Sequence, residues 1–134
     1  NRFEFTMEIE PGIQQYSTIK LVIQPILENS IYYGMEYMDG DGIIKVRGYE
    51  KDGDILVDVL DNGPGMPREV VDYLLTDGKR VRKKGSGVGL MNVHQRIRLY
   101  FGEPYGLEII SEPDEGTLVR IHLPKTFERE GREQ

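Results

Sequence analysis

The fold is decided by one stretch, Asp61-Asn62-Gly63-Pro64-Gly65-Met66-Pro67, which follows a strand-like run from Ile55 to Leu60. Side chains alternate between the two faces of a strand, so Asp61 falls on the apolar face of this run. A carboxylate that enters a core in this way is costly unless it is hydrogen-bonded. Asp-Asn-Gly and Pro-Gly also form turns readily, so an ordinary turn is the alternative interpretation. The rest of the chain distinguishes the core-facing carboxylate from the ordinary turn.

Length and composition indicate one ordinary globular domain. The chain has 134 residues, of which 38% are hydrophobic and 30% are charged, unlike a disordered or fibrous protein. It has no apolar run near the roughly 18 residues that a membrane span needs. It also has no cysteine, which excludes disulfides, thiolate metal sites and cysteine nucleophiles. The net charge of −6 argues against general nucleic-acid binding.

Periodicity predicts five strands, over residues 3–9, 43–49, 55–60, 107–112 and 117–123. Three helices are predicted, one from Thr18 to Met35, one starting at Pro67 and one that Gly102 ends. Pro25 fits the first turn of the first helix or a local kink, not a regular interior. The helical stripes need an apolar partner, and the sheet offers the largest one. We therefore predict a two-layer α/β sandwich, with a mixed, mostly antiparallel sheet and three main helices on one face.

A second glycine-rich turn, Gly85-Ser86-Gly87-Val88-Gly89-Leu90, opens the third helix. Free backbone N–H groups and the helix dipole at such a start favour an anion such as phosphate. Without side chains, the backbone can approach that anion closely. The spacing is not that of a dinucleotide fingerprint, and there is no Walker-type Gly-Lys-Ser/Thr. A hinge or a tight turn explains a lone glycine triplet equally well.

Two further polar positions suggest ligand chemistry. Asn29 lies off the apolar stripe of the first helix, one turn before Tyr33, and its amide oxygen suits a Mg²⁺ ion that bridges phosphates. An ordinary surface asparagine is the alternative. Thr117 is in phase with the apolar positions of its strand, so its hydroxyl points inward like Asp61. A buried carboxylate beside a hydroxyl accepts from an exocyclic amine, as selecting adenine over guanine requires.

Four motifs, in this order, resemble those of the GHKL ATP-binding fold. They are the N box at residues 24–30, the first glycine box at 61–66, the second glycine box at 85–93, and the final Gly116-Thr117. Within that superfamily, the chain is most similar to the catalytic domain of sensor histidine kinases of the YesM/LytS type. That narrower match rests on Gln-Pro-x-x-Glu-Asn in the N box and on Asn-Val-x-x-Arg-Ile over residues 92–97. The resemblance covers residues 3–124.

The resemblance implies a Bergerat fold that binds Mg-ATP. It implies that Asn29 ligates Mg²⁺ and that Asp61, supported by Thr117, accepts from the adenine amino group. Glu28, beside Asn29, is the second candidate catalytic residue. The candidate nucleotide-binding residues are Asn29, Tyr33, Asp61, Gly63, Gly65, Met66, Lys84, Gly85, Ser86, Gly87, Val88, Gly89, Leu90 and Thr117.

The basic segment from Thr76 to Lys84 corresponds to the mobile lid of the family, which covers the phosphates. Its cations can neutralise nucleotide charge, and a solvated basic loop is the alternative. One departure concerns the N box. Many relatives carry a lysine three residues after the asparagine and a histidine next to it, whereas this chain has Tyr32 and Tyr33. A lid cation is therefore expected to replace that lysine.

The residues around Asn29 bear on the reaction. Hydrolysing members of the superfamily place a glutamate base one turn before the asparagine, and Pro25 stands there. Glu28 projects about 100° around the helix from Asn29, so it cannot replace that base without rotation. Phosphoryl transfer to a histidine is therefore favoured. His94, on the polar side of its helix, and His122, in mid-strand, are expected to be structural or exposed.

The resemblance also implies how the protein is organised. We expect an ATP-binding domain over residues 1–125, a polar tail over 126–134, and a sensor and dimerisation domain outside this chain. The parent is expected to be a homodimer, membrane-anchored in a bacterium, with this domain in the cytoplasm and a response regulator downstream. A plain hydrolase, an anti-sigma-factor-like serine kinase and a regulatory pseudoenzyme are the alternatives.

Overall fold

The computed structural model describes residues 3–13, 17–31, 41–69, 71–72 and 88–125, and their elements include five strands, two long α-helices and a 3₁₀ helix over Pro11–Ile13. No described helix has the length and apolarity that crossing a membrane requires. The strands are β1 (Phe3–Ile9), β2 (Gly42–Lys51), β3 (Asp54–Asp61), β4 (Gly106–Ser111) and β5 (Thr117–Pro124), and the helices are α1 (Ser17–Asn29) and α2 (Val88–Phe101).

The strands form one mixed sheet in the order β1-β2-β3-β5-β4. Strand β1 pairs parallel to β2, and the other three pairings are antiparallel. Asp52 and Gly53 connect β2 to β3 with φ values of 53° and 83°, which is typical of a tight hairpin turn whose twist matches the strands. The predicted mixed, mostly antiparallel sheet is confirmed.

One face of the sheet is covered by the helices and forms the core. Alternate residues of β2, β3 and β5 point toward α1 and α2, as a strand period of two requires. The apolar stripe predicted for α2 is buried at Leu90, Val93 and Ile97 and half-buried at Phe101. Gly102 (φ 74°) ends the helix, and its N–H donates to Arg98 O at 2.9 Å. The fully or nearly buried core side chains include Ile23, Ile26, Ile44, Val46, Ile55, Val57, Val59, Leu90, Val93, Ile97, Val119, Ile121 and Leu123.

Two positions of the first helix bear on its prediction. Pro25 lies inside α1, so its placement in the first turn is wrong, and the local kink stays a prediction. Helical spacing from Ile23 and Leu27 predicts that Ile31 is on the apolar stripe, but its side chain is 47% exposed. The second predicted helix begins as expected, since Val71 N–H donates to Pro67 O at 3.2 Å. The rest of that helix lies outside the described residues.

Strand β1 forms as predicted. Ile9 is partly buried against the core, but two other apolar side chains of the strand are exposed. Phe5 and Met7 lie opposite Ile44 and Val46 on the helix-side face, yet each is 47% exposed. The strand is at the edge of the sheet, whereas α1 packs against β3, and α2 packs against β4 and β5. Alternation in sequence identifies the face of a strand, but it does not show whether a helix covers that face.

The uncovered face of the sheet carries a row of alternating charges. Glu8, Arg47, Asp58, Arg120 and Glu108 lie side by side on all five strands in register. Arg120 forms two hydrogen bonds with Asp58, at 2.8 and 3.2 Å. Opposite charges on neighbouring strands support one register over a slipped one. The charges on this face suit contact with water. Asp61 and Thr117, the polar residues predicted to point inward, lie on the other face.

Candidate functional site

Three polar residues end adjacent strands on the helix-covered face. Asp61 is the last residue of β3, Thr117 is the first of β5, and Ser111 is the last of β4. Asp61 pairs with Thr117 and Thr117 pairs with Ser111. Residues paired in this way share a face, so the three side chains form a row at one end of the core. We call these three residues the polar row. The predicted proximity of Asp61 and Thr117 is thus observed in the structure.

Asp61 is almost completely buried, with 6% of its surface exposed. Its carboxylate accepts hydrogen bonds from Gly63 N–H, at 2.9 Å, from the Ser30 hydroxyl and from Thr117 N–H. Burial raises the pKa of Asp61, and these three donors act in the opposite direction. A carboxylate has about four lone-pair sites, so roughly one is left for a donor on a ligand. The structure therefore supports the core-facing interpretation of this carboxylate over a simple surface turn.

Sequence analysis missed Ser30, which is 4% exposed and directly follows α1. It lies seven residues after Ile23 and four after Ile26, and both of these are buried. That spacing places Ser30 on the apolar stripe of the helix. A polar residue on an otherwise apolar stripe is the feature of the sequence that could have identified Ser30. Its hydroxyl links the helix layer to the carboxylate at the end of the sheet.

The loop after Asp61 is held by close contacts between backbones. Gly65 has φ 75°, and a Cβ atom there would lie 2.0 Å from Glu112 O. Gly116 has φ 89°, and a Cβ atom there would lie 2.2 Å from Asp61 O. Only glycine allows both the positive φ and this approach. The first glycine box and the final Gly-Thr turn are therefore packed against each other without side chains between them.

Asn62 joins the same loop to the start of β2. Its Oδ1 accepts from Ile43 N–H at 2.8 Å, and its Nδ2 donates to Asp41 O at 3.1 Å. An asparagine amide that donates and accepts across two segments fixes their relative position. The loop that presents Asp61 is thus anchored from the β2 side as well as from β4 and β5.

The other predicted site residues are described only in part. Glu28 is exposed, and its carboxylate accepts from Gln24 Nε2 at 3.3 Å. Asn29 ends α1, and its side chain lies outside the described part of the structure. Leu90 is fully buried in the first turns of α2, which Val88 and Gly89 begin. The predicted positions outside the described residues are Tyr33, Lys84, Gly85, Ser86, Gly87 and the lid segment from Thr76 to Lys84.

His94 has a structural role. It is buried, which corrects its assignment to the polar side of the helix, and its Nδ1 accepts from Leu107 N–H at 3.0 Å. Burial and the nearby Arg98 lower the pKa of His94, so the ring is neutral near pH 7. Gly106 packs against it, since a Cβ atom there would lie 2.7 Å from the ring.

His122 lies at the other end of the sheet from Asp61. Its Nε2 lies 2.8 Å from Asp54 Oδ2, and Tyr105 donates to the other oxygen of Asp54 at 3.3 Å. Asp54 and Asp61 are the two ends of β3, which places them roughly 20 Å apart. His122 is therefore not positioned to act with the polar row.

Residues 14–126 match the family described as histidine kinase-, DNA gyrase B- and HSP90-like ATPases. The chain belongs to this family. It is 37% identical over 124 residues to the sensor histidine kinase YesM of Bacillus subtilis (strain 168), a match that covers 92% of this chain and 20% of YesM. It is 29% identical over 119 residues to an anti-sigma F factor of Clostridium botulinum (strain Alaska E43 / Type E3), covering 87% and 76% of the two chains.

Solved structures agree on the fold. The catalytic domain of the histidine kinase ThkA superposes with a TM-score of 0.65 at 24% identity, over 92% of this chain and 80% of that one. The predicted two-layer sandwich and the predicted ATP-binding family are both confirmed. The chain spans about a fifth of the length of the YesM and LytS sensor kinases it matches.

Gly65→Ala is expected to be far more damaging than Gly53→Ala. Both glycines have positive φ, but a Cβ atom on Gly53 meets nothing within 4 Å, whereas one on Gly65 meets a carbonyl oxygen. Gly53→Ala should cost about 1 kcal/mol of stability, and Gly65→Ala should cost more than about 3 kcal/mol. Urea denaturation of the two variants measures this difference. Equal losses would contradict the close approach of the two loops.

Asp61→Asn is expected to weaken ATP binding by at least about tenfold and to lower stability at pH 7, because the amide nitrogen cannot accept from the donors that face the carboxylate. The folded pKa of Asp61 lies above its unfolded value of 3.8. Wild-type stability therefore falls as pH rises through the interval between these two values. Asparagine does not titrate, so the stability of the variant relative to wild type should increase across that interval. Denaturation at pH 3.5 and pH 7, with ATP titration at pH 7, measures both effects. The measured quantity is the free energy of unfolding of the variant minus that of wild type. If this difference were smaller at pH 7 than at pH 3.5, it would contradict the raised pKa.

Proposed function

We propose that residues 1–125 are the catalytic domain of a sensor histidine kinase, which binds Mg-ATP and donates its γ-phosphoryl group to a histidine on a separate dimerisation domain. The single observation that carries the nucleotide site is the buried Asp61 carboxylate, which has three protein donors and room for roughly one more. The similarity to YesM and LytS supports the kinase assignment.

The purine end of the proposed site lies at the polar row. Asp61 accepts one proton of the adenine amino group, and Thr117 supports it from the neighbouring strand. Gly63 and Gly65 shape the wall of the base pocket, because a backbone without side chains leaves room for a flat ring. Met66 continues that wall, and its N–H is held by Ser111 Oγ at 2.9 Å.

The phosphate end of the proposed site lies at the start of α2. As described, this helix begins at Val88 and has no acidic residue in its first turn, so the charge at its N-terminus favours an anion. The preceding glycines, Gly85 and Gly87, are proposed to bring the backbone against the triphosphate. Lys84 is proposed to supply the phosphate contact that the N-box lysine makes in many relatives.

We assign Mg²⁺ to Asn29. Within the described ranges, no group of three or more His, Cys, Asp or Glu side chains could hold a metal ion. An all-protein metal cage is thus not built from those residues, whereas a single amide oxygen fits an ion that is otherwise bound by phosphates and water. When bound, the ion would neutralise charge on the transferred group. Asn29, at the C-terminal end of α1, is the residue that would hold it.

The same helix favours transfer over hydrolysis. Pro25 lies inside α1 one turn before Asn29 and has no group that takes a proton from water. Glu28 is exposed and hydrogen-bonded to Gln24. Phosphoryl transfer needs mainly positioning and charge stabilisation, which the polar row and the start of α2 supply. The acceptor histidine is proposed to lie in the longer protein, since His94 is buried and His122 is distant.

The wider assembly is also a proposal. We infer that the parent is a bacterial homodimer anchored in the membrane, with this domain on the cytoplasmic side and a response regulator as its downstream partner. The anti-sigma F factor similarity covers 76% of that protein and favours a serine kinase as the second candidate. The two candidates differ in the residue that receives phosphate.

Incubation of the 134-residue chain with γ-labelled ATP and Mg²⁺ should leave the chain unlabelled, because neither of its histidines is placed to receive phosphate. Adding the dimerisation helices of the longer protein should give label on histidine, which is stable in base and lost in acid. The matched control is Asp61→Asn, which should abolish that label. Steady ATP turnover by the chain alone would favour a hydrolase, and acid-stable label on serine of an added substrate would favour the second candidate.

Asn29→Ala should remove the magnesium dependence of nucleotide binding. In wild type, Mg²⁺ should strengthen ATP binding, whereas adenosine binding should not respond to the metal. The variant should bind ATP about tenfold or more weakly with Mg²⁺, and it should bind adenosine as wild type does. Gln24→Ala, an exposed change on the same helix, is the control. Calorimetry with and without Mg²⁺ measures these affinities. A magnesium effect that persists in Asn29→Ala would contradict the assignment of the metal to Asn29.

A further inference from the structure

Ser111, which sequence analysis did not single out, is surrounded by three polar groups from the two loops of the site. Its Oγ receives a hydrogen bond from Met66 N–H at 2.9 Å and lies 3.0 Å from Gly116 O and 2.8 Å from Thr117 Oγ1. The residue is half-buried at the end of β4, directly opposite Thr117. All three distances are ordinary for hydrogen bonds.

Counting protons fixes the direction of each bond. A serine hydroxyl has one proton and two lone pairs. Met66 N–H can only donate, and Gly116 C=O can only accept, so the Ser111 proton goes to Gly116. One lone pair of Ser111 accepts from Met66, which leaves the second for the remaining neighbour. The Thr117 hydroxyl must therefore donate its proton to Ser111.

The opposite assignment is unfavourable. If Ser111 donated to Thr117, then Ser111 Oγ and Gly116 O would face each other at 3.0 Å with no proton between them. Gly116 O would then lose the donor that it has in this part-buried cluster and would face a lone pair of Ser111. The first assignment satisfies every group in the cluster, so it determines the proton position.

We propose that Ser111 is a positioning residue that takes the proton of Thr117 and so makes Thr117 a hydrogen-bond acceptor toward the bound purine. The inference rests on the proposed function. Asp61 and Thr117 then both present lone pairs at the same end of the site. Such a pair suits an exocyclic amine, which has two protons to donate. A purine with a carbonyl oxygen at the same position meets two acceptors and is rejected.

The experiment compares ATP with inosine 5′-triphosphate, which has an oxygen in place of the amine. Calorimetry gives the ratio of the two affinities for the 134-residue chain, which should favour ATP by about a hundredfold. In Ser111→Ala, Thr117 can turn its proton toward the inosine oxygen, so the ratio should fall about tenfold. Ser111→Thr keeps a hydroxyl and should keep the ratio. Melting curves show that each variant is folded.

Thr117 provides the second arm of the test. In a Thr117→Val background, Ser111→Ala should leave the affinity ratio unchanged, because the hydroxyl through which Ser111 acts is gone. If Ser111→Ala does not fold, Ser111→Cys replaces it, since a thiol is a poorer partner of similar shape. The ratio should then fall in the same direction.

The outcomes separate the inference from the proposed function. A merely structural Ser111 would loosen the loop and weaken both nucleotides equally, leaving the ratio as in wild type. That result would overturn the inference and leave the nucleotide site standing. A wild-type chain that binds ATP and inosine 5′-triphosphate equally would instead refute the adenine-reading role of Asp61. A drop in the ratio that persists in the Thr117→Val background would also overturn the inference.

Discussion

A buried carboxylate held by donors from three parts of the chain is the interaction on which the rest of the structure depends. Ser30 reaches Asp61 from the end of α1, Gly63 from the following loop, and Thr117 from β5. Burial of a carboxylate is costly unless its oxygens are hydrogen-bonded. The helix layer, the loop and the sheet must therefore all be in place for the carboxylate to be satisfied.

Glycine contributes to this arrangement through close backbone contact and not through flexibility. Gly65 and Gly116 each hold a positive φ while their α-carbons lie against a carbonyl oxygen of the other loop. The two loops that follow β3 and β4 are thereby locked together, and Ser111 completes the contact with hydrogen bonds to both. A ligand at this end meets walls whose spacing the backbone determines.

Sequence predicted the strands, the covered face of the sheet and the inward Asp61, because strand periodicity is local and strong. It did not predict that Phe5, Met7 and Ile31 are exposed, since coverage depends on where the helices lie and where they end. Ser111 was missed although it follows the same alternation as Asp61. Its importance depends on β4 lying beside β5 and on the first glycine loop reaching β4, and neither fact is contained in one segment.

Hydrogen bonds within the protein fix the directions of the side chains in the polar row. Across the described residues, every fully buried side-chain nitrogen or oxygen has a hydrogen-bond partner. Nucleotide bound at the proposed site would not have to order these side chains, and its selectivity would follow from lone pairs whose directions the fold sets. In the proposed site, recognition of the purine is therefore a property of the folded sheet, whereas the proposed phosphate contacts lie at the end of α1 and the start of α2.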